Sequence, residues 1–230
     1  MKYAVITGAS RGIGLAAAKK FVSEGYQVIG LSRTPCPLPN VQSVHVDFSH
    51  PIPNTFAETL AAELSQPAQS LVVIHNAGIS AHDQTQAITP EQFQQILQIN
   101  LFSVCELNQI IIPLMPHHQG SGIIYIGSTL SFMGAPSSFS YTVSKHGILG
   151  MMRASAQDLK PLGIHAACVC PSFTDTDMLK YLFPGDQLQK VAGNFGALIS
   201  PDAIAKAIFF AATTPECNGL LLPVDKGAYG

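Results

Sequence analysis

The first fourteen residues constrain the fold of this chain more than any other stretch. Lys2-Tyr3-Ala4-Val5-Ile6-Thr7 reads as a short buried strand that runs without a break into Gly8-Ala9-Ser10-Arg11-Gly12-Ile13-Gly14. A helix follows at once. Ile13, Ala17 and Phe21 recur at spacings of four and Gly25 stands where a C-terminal cap glycine belongs, so the pattern predicts a helix over 12–24. A strand, a glycine turn and a helix in that order direct backbone amides and the positive end of a helix at one point, the arrangement that receives a pyrophosphate. The spacing Gly-x3-Gly-x-Gly departs from the common Gly-x-Gly-x-x-Gly fingerprint, so the turn alone supports dinucleotide binding only in general terms.

The rest of the chain repeats the alternation. Strands are expected over 2–7, 26–32, 42–46, 71–75, 122–127, 163–169 and 219–224, and further helices over 54–65, 90–113, 139–160 and 201–213. Thr89-Pro90-Glu91-Gln92 combines an N-cap, a first-turn proline and a capping-box glutamine; Ser200-Pro201 repeats the first two. Three prolines within Thr34-Pro35-Cys36-Pro37-Leu38-Pro39-Asn40 exclude a regular helix between strands two and three. With 230 residues, 47% of them hydrophobic and 11% charged, and no linker or repeat, residues 1–230 fit a single α/β domain: a doubly wound parallel sheet of about seven strands with helices on both faces.

Composition also narrows function. A formal net charge of −2 offers no basic footprint for nucleic acid. No apolar run approaches the ~20 residues of a membrane span, and the N-terminal apolar stretch enters the glycine turn instead of a cleavage site, so the expectation is a soluble chain without a targeting peptide. Five scattered cysteines (Cys36, Cys105, Cys168, Cys170, Cys217) contain no Cys-x-x-Cys pair and read as incidental thiols of a reducing compartment, the cytoplasm. His117-His118 lacks a third ligand nearby and reads as a solvated pair in a loop, so no metal is expected.

One local pattern points to carbonyl chemistry. Tyr141 and Lys145 lie one helical turn apart in Ser140-Tyr141-Thr142-Val143-Ser144-Lys145, and Ser128 lies thirteen residues before Tyr141, after a predicted strand. A free phenol titrates near ~10, so a tyrosine serves as acid or base near neutrality only where a neighbour stabilises its anion. An ammonium at i+4 on the same helix face is such a neighbour. Ser128 suits the holding of a substrate oxygen, and Asn100, on an otherwise apolar helical stretch, is an amide that needs partners.

Taken together, these residues resemble the short-chain dehydrogenases/reductases from the first strand to the C-terminus. Thr7-Gly8-x3-Gly12-Ile13-Gly14 is similar to that family's cofactor loop, Asn76-Ala77-Gly78 to its motif after the fourth strand, and Pro171-Ser172-Phe173-Thr174-Asp175-Thr176-Asp177-Met178 to its segment over the nicotinamide. Asn100, Ser128, Tyr141 and Lys145 fall where the family keeps its catalytic tetrad. The resemblance implies a Rossmann fold and hydride transfer between a nicotinamide and a carbonyl or secondary alcohol, with Tyr141 as general acid or base. Lys145 would also bond the nicotinamide ribose, and Asn100 would anchor a water that restores the proton. It further implies cofactor contacts from Gly8, Ser10, Arg11, Gly12, Ile13, Gly14, Asp47, Asn76, Ala77, Gly78, Tyr141, Lys145, Pro171, Ser172, Thr174 and Thr176, with Asp47 on the adenine. Dimers or tetramers through the helices 90–113 and 139–160 are implied as well.

Charge selects between cofactors. Ser32 occupies the strand-end position where NAD-preferring relatives carry Asp; Arg33 follows it and Arg11 projects from the glycine loop, so NADP(H) is expected over NAD(H). The residues 178–200, with Pro184-Gly185 and Gly193-Asn194-Phe195-Gly196, are expected to form a substrate lid, and Phe132, Met133, Met178, Leu179, Tyr181, Leu182 and Phe183 to line an apolar pocket. Departures from the family pattern are Ser172 for Gly, His75 for Asn, Asn218 for Thr and Lys226 for Gly. The places where carrier-protein reductases show basic residues read His117-His118-Gln119 and Pro161-Leu162. Two other readings compete: a 3-ketoacyl carrier-protein reductase and a nicotinamide-binding regulator without turnover.

Overall fold

The computed structural model describes residues 1–118, 120–194 and 198–226. Gln119 and the Phe195-Gly196 part of the expected lid lie outside the described residues. Along the chain run β1 (Lys2–Thr7), α1 (Gly12–Ser23), β2 (Gln27–Ser32), β3 (Val41–His45), α2 (Phe56–Glu63), β4 (Ser70–His75), α3 (Pro90–Leu97), α4 (Ser103–Ile111) and β5 (Ser121–Ile126). There follow α5 (Phe139–Asp158), β6 (Ile164–Pro171), α6 (Asp177–Leu182), α7 (Asp186–Asn194), α8 (Pro201–Thr213) and β7 (Leu221–Val224). All pairings among these seven strands are parallel, in the order β3-β2-β1-β4-β5-β6-β7.

The strand sequences are continuous apolar runs because both sheet faces are covered. Along β1 the alternation sends Tyr3 and Val5 into one core, with Leu107, Ile111, Ile148 and Met152 of α4 and α5. Ala4 and Ile6 enter the other, with Ala17, Phe21, Ile204 and Ile208 of α1 and α8. Chain order reverses between β1 and β4, so the connections leaving their C-terminal ends diverge and open a crevice there, the usual ligand position in an open α/β sheet.

Three elements differ from the sequence expectation. The helix expected over 90–113 is broken: α3 opens with the capping box of Thr89 and Gln92, a π-helical turn occupies Gln98–Phe102, and α4 resumes at Ser103. Apolar periodicity is nearly the same across a π turn, so the pattern did not reveal it. Asn100 lies within it, buried. The run Pro90–Leu114 has 25 residues and contains an 18-residue window of mean hydropathy 1.3, enough by length and composition for a bilayer span. In this fold Leu107 and Ile111 are fully buried in a core shared with the sheet. Secondly, the region expected as a lid loop carries α6 and α7. Thirdly, α5 ends at Asp158 and a 3-10 turn, Lys160–Leu162, carries the chain to Gly163 at a φ of 71°. Between β2 and β3 there is no helix, as the prolines require.

Asn218, in place of the family's threonine, bridges two elements. Its Oδ1 accepts from Ala166 N at 2.9 Å and its Nδ2 donates to Ala156 O at 2.9 Å, which joins β6 to α5.

Candidate active site

A cleft of about 760 Å³ opens at the carboxyl ends of the strands. One end is built from the glycine turn. Gly8 and Gly12 take φ values of 69° and 56°, which favour glycine. Gly14 does not line the cleft: a Cβ there would stand 2.2 Å from the Gly8 carbonyl oxygen, so its role is to let α1 close on the turn. Thr7 and the Asn76-Ala77 pair hold the turn from below. Thr7 Oγ1 accepts from Asn76 N at 2.9 Å and Ala77 N at 2.8 Å, and Asn76 Nδ2 donates to Thr7 O at 2.9 Å. Arg11 is the N-cap of α1, gives no side-chain cap, and the first turn holds no acidic residue. The amides at that helix end therefore stay open to an anion, and the turn fits a pyrophosphate.

Ser32, Arg33 and Asp47 line the same end. Ser32 Oγ donates to Thr34 O at 2.6 Å. Arg11 stands 4.0 Å from Asp177, both side chains being more than two-thirds exposed, so the pair is loose and the guanidinium accessible. Asp47 Oδ1 accepts from Ser49 N at 3.0 Å and from Ser49 Oγ at 2.7 Å. These bonds, with Arg33 and His50 as weaker contributors, hold its carboxyl below the usual range and keep it a hydrogen-bond acceptor.

Ser128, Tyr141 and Lys145 line the cleft as well. Ser128 follows β5 and caps the turn Thr129–Ser131, its Oγ accepting from Leu130 N at 3.1 Å while its own N–H donates to Ser131 Oγ at 3.1 Å. Gly127 before it has no room for a Cβ, which would lie 2.7 Å from Cys170 Sγ and Ser131 Oγ. Lys145 is buried; its Nζ donates to Ile126 O at 2.7 Å and stands 5.4 Å from the Tyr141 ring centre. Asn100 is buried and does not line the cleft. Its Oδ1 accepts from Ile79 N at 2.8 Å, and its Nδ2 donates to Ile79 O at 2.8 Å and Ser144 Oγ at 3.1 Å. A Cβ on Gly78 would meet Asn100 Oδ1 at 3.3 Å and Lys145 Nζ at 3.8 Å, so the three groups converge on one point.

Pro171, Ser172, Thr174 and Thr176 border the cleft where β6 ends. Ser172 N donates to Val224 O at 3.0 Å, and Thr174 Oγ1 donates to Ser172 O at 2.9 Å. The φ of Ser172 is not in the positive range, so serine in place of glycine brings no backbone strain. Met178, Leu179, Leu182 and Phe183 line the far end as expected; Phe132, Met133 and Tyr181 do not. Tyr181 is 81% exposed on the outer side of α6.

Sequence reading missed four residues that hold this geometry. Thr7 is signalled by its place directly before Gly8. Ser144 lies inside the Tyr141 to Lys145 interval, where its Oγ donates to Tyr141 O at 2.8 Å while accepting from Asn100. His82 and Asp83 had no local signal, because their partners are about 100 and 57 residues away. Among the cysteines, Cys168 and Cys170 are buried with sulfurs 3.5 Å apart. That contact and burial push the Cys168 thiol up, which keeps it neutral.

Comparison with known proteins gives a consistent result. A family model of short chain dehydrogenases matches residues 2–187. The 3-oxoacyl-(acyl-carrier-protein) reductase MabA of Mycobacterium tuberculosis is 28% identical over 228 residues, covering 97% of this chain and 91% of its own. The corresponding reductase FabG of Salmonella typhimurium is 28% identical over 243 residues, covering 99% and 97%. Among solved structures, ligand-free aldohexose dehydrogenase of Thermoplasma acidophilum superposes with a TM-score of 0.89 at 26% identity, covering 99% of this chain and 93% of that one. A Beutenbergia cavernae protein assigned as an NAD(P)-dependent gluconate 5-dehydrogenase, with NADP bound at low occupancy, gives 0.88 at 26% identity, covering 99% and 96%.

Proposed function

The chain belongs to the short-chain dehydrogenase family and is an NAD(P)-dependent oxidoreductase; from that premise we propose that it works as an NADPH-preferring reductase of ketones or aldehydes. NADP(H), when bound, supplies or accepts the hydride. Every other task falls to the chain. The open N-terminus of α1 and the Gly8 to Gly12 turn receive the pyrophosphate, and Ser32, Arg33 and Arg11 receive the 2′-phosphate. Asp47 accepts from the adenine amine. Ser128 donates to the substrate oxygen and steadies charge that develops on it. Tyr141 holds the proton and transfers it to that oxygen. Lys145 supports the resulting phenolate by its charge, and its ammonium hydrogens not used by Ile126 O reach for the nicotinamide ribose. Both side-chain amide hydrogens of Asn100 are engaged, so its side chain offers a water the remaining lone pair of Oδ1.

The observation that carries this reading is the convergence of Asn100 and Lys145 at Gly78, on a cleft that Tyr141 and Ser128 also line. Binding alone requires no such convergence. Within the lid expected over 178–200, the described α6 and α7 carry the proposed cover, and the apolar Met178, Leu182 and Phe183 that line the cleft favour a substrate with apolar bulk. Exposed Phe102 and Val143, on the π turn and on α5, support association of two copies across these helices. Light scattering in solution distinguishes that from a monomer.

The deciding experiment is NADPH oxidation against a panel of ketones and aldehydes, run beside NADH. Turnover at least tenfold more efficient with NADPH is the expected result; a tenfold preference for NADH overturns the cofactor assignment. A second reading, reduction of a 3-oxoacyl group on a carrier protein, is favoured by the names of relatives that match nearly the whole chain. Including a 3-oxoacyl thioester in the panel, free and carrier-bound, separates the two readings.

A further inference from the structure

The loop after β4 carries His82 and Asp83 side by side, and they bond to two different elements, the end of α6 and the first turn of α5. His82 lines the substrate end, where Nε2 donates to Leu182 O, at the end of α6, over 2.7 Å. A carbonyl oxygen only accepts, so the imidazole proton at this contact is on Nε2. The same ring meets Phe183 edge-on with centres 5.7 Å apart, and Phe183 meets Phe173 in the same manner at 6.0 Å. His82 thus touches the lid at two points, one polar and one aromatic.

Asp83 bonds to α5, the helix that presents Tyr141. Ser138, the cap residue of α5, gives no side-chain cap. Asp83 supplies one from elsewhere in the chain: its carboxylate accepts from Ser140 N at 3.0 Å and from Ser140 Oγ. A carboxylate at this helix end also meets the positive end of the dipole. The backbones pair as well, Asp83 N donating to Ser137 O at 3.1 Å and Phe139 N to Asp83 O at 3.4 Å. Ser137 between these bonds has a φ of 55°, and Gln84 Nε2 donates to its hydroxyl at 3.3 Å. A non-glycine residue stays in that region only where its surroundings fix it, and such strain gathers at functional sites. Ser140, the residue Asp83 grips, immediately precedes Tyr141.

We propose that His82-Asp83 is a clamp that couples the lid to the first turn of the Tyr141 helix. His82 sets how firmly the lid covers the substrate, and Asp83 sets where the phenol stands when it does. Both are positioning residues, and the kinetic part of this proposal rests on the reductase reading above. Through the clamp, the lid registers with the catalytic helix by way of two adjacent residues of the chain as well as by way of the substrate.

The test uses the full chain, with His82→Phe to keep the aromatic contact without the donor, Asp83→Asn to keep an acceptor without the charge, and the double variant. With a ketone turned over by the wild-type protein, His82→Phe is expected to raise KM about fivefold with kcat within twofold. Asp83→Asn is expected to lower kcat about tenfold, with KM and NADPH affinity close to wild type. The double variant should depart from the product of the single effects, because neighbouring groups in one network couple. Hydrogen exchange reads the clamp without activity: in His82→Phe, faster exchange in 177–183 should extend to 137–145. Strictly multiplicative kinetics, or exchange that rises in the lid alone, overturns the coupling. A wild-type protein inactive on the whole panel overturns the reductase reading instead, and hydrogen exchange then decides the clamp by itself.

Discussion

A tyrosine hydroxyl and a lysine ammonium four residues apart do little unless the proton has a route and the substrate a seat. In this protein Ile126 O fixes the ammonium, Ser144 ties the Tyr141 backbone to Asn100, and the Ser128 turn opens onto the same cleft. Tyr141→Phe removes the transferable proton and little else. It should lower kcat by about 10²- to 10⁴-fold, with NADPH affinity within about twofold by fluorescence titration. Wild-type turnover in that variant would remove Tyr141 from the chemistry and favour a binding role. At the adenine end, Ser32→Asp places a carboxylate beside Arg33 where a 2′-phosphate would sit. Repulsion should weaken NADPH by at least about tenfold while NADH use holds or improves, measured as the ratio of kcat/KM for the two cofactors. An unchanged ratio would show that the phosphate, if bound, does not reach this strand end. These residues were legible because each belongs to a short motif. His82, Asp83 and Ser144 were not, because their meaning comes from partners that only the folded chain brings near.

Among the elements, strands and long helices were read to within a few residues because two buried faces and a 3.6-residue period leave plain marks in sequence. The π turn at Asn100 left none, since one extra residue in a turn hardly disturbs the apolar pattern. The lid helices were missed for another reason: α6 has six residues and α7 nine, too short for periodicity to decide against the Pro184-Gly185 break. Gly14→Ala would place a methyl 2.2 Å from the Gly8 carbonyl oxygen, which no side-chain adjustment relieves, so α1 must move away from β1. A loss of roughly 1–3 kcal/mol in urea unfolding is expected, together with weaker NADPH binding. Thermal stabilisation by NADPH should shrink even where the variant remains folded. Asn218→Ala tests a quieter joint: it leaves Ala166 N and Ala156 O without their partner and should cost about 1–3 kcal/mol with little effect on KM.

Across the whole molecule, one of the buried polar chains bears on how the fold should respond to acid. His75 Nε2 bonds Asn108 Oδ1 at 2.8 Å, Asn108 Nδ2 donates to the Tyr125 hydroxyl at 2.9 Å, and that hydroxyl meets Ser155 Oγ at 2.8 Å. His75 stacks on Tyr125 and is fully enclosed, with no partner for Nδ1 among the described residues. Asn108 Oδ1 accepts because Nδ2 is committed to Tyr125, so the ring proton lies on Nε2 and Nδ1 is the site a second proton would take. Burial opposes that cation and lowers the pKa from 6.5 to about 4, the Asn108 bond offsetting part of the effect. A histidine whose folded pKa is depressed binds its proton first in the unfolded chain. Stability should therefore be full above about pH 6.5, fall as the pH drops from there to about 4, and change no further below on this account. The span corresponds to about 3 kcal/mol. Asp47 and Glu91, whose carboxyls are also depressed, titrate in the unfolded chain only near pH 4 and leave most of this window to His75. Urea unfolding from pH 7.5 to 4.5 should show the decline in the wild-type protein and a flatter profile in His75→Asn, which restores the residue common in the family and carries no titrating ring. Equal slopes in the two proteins would place the acid response elsewhere in the fold.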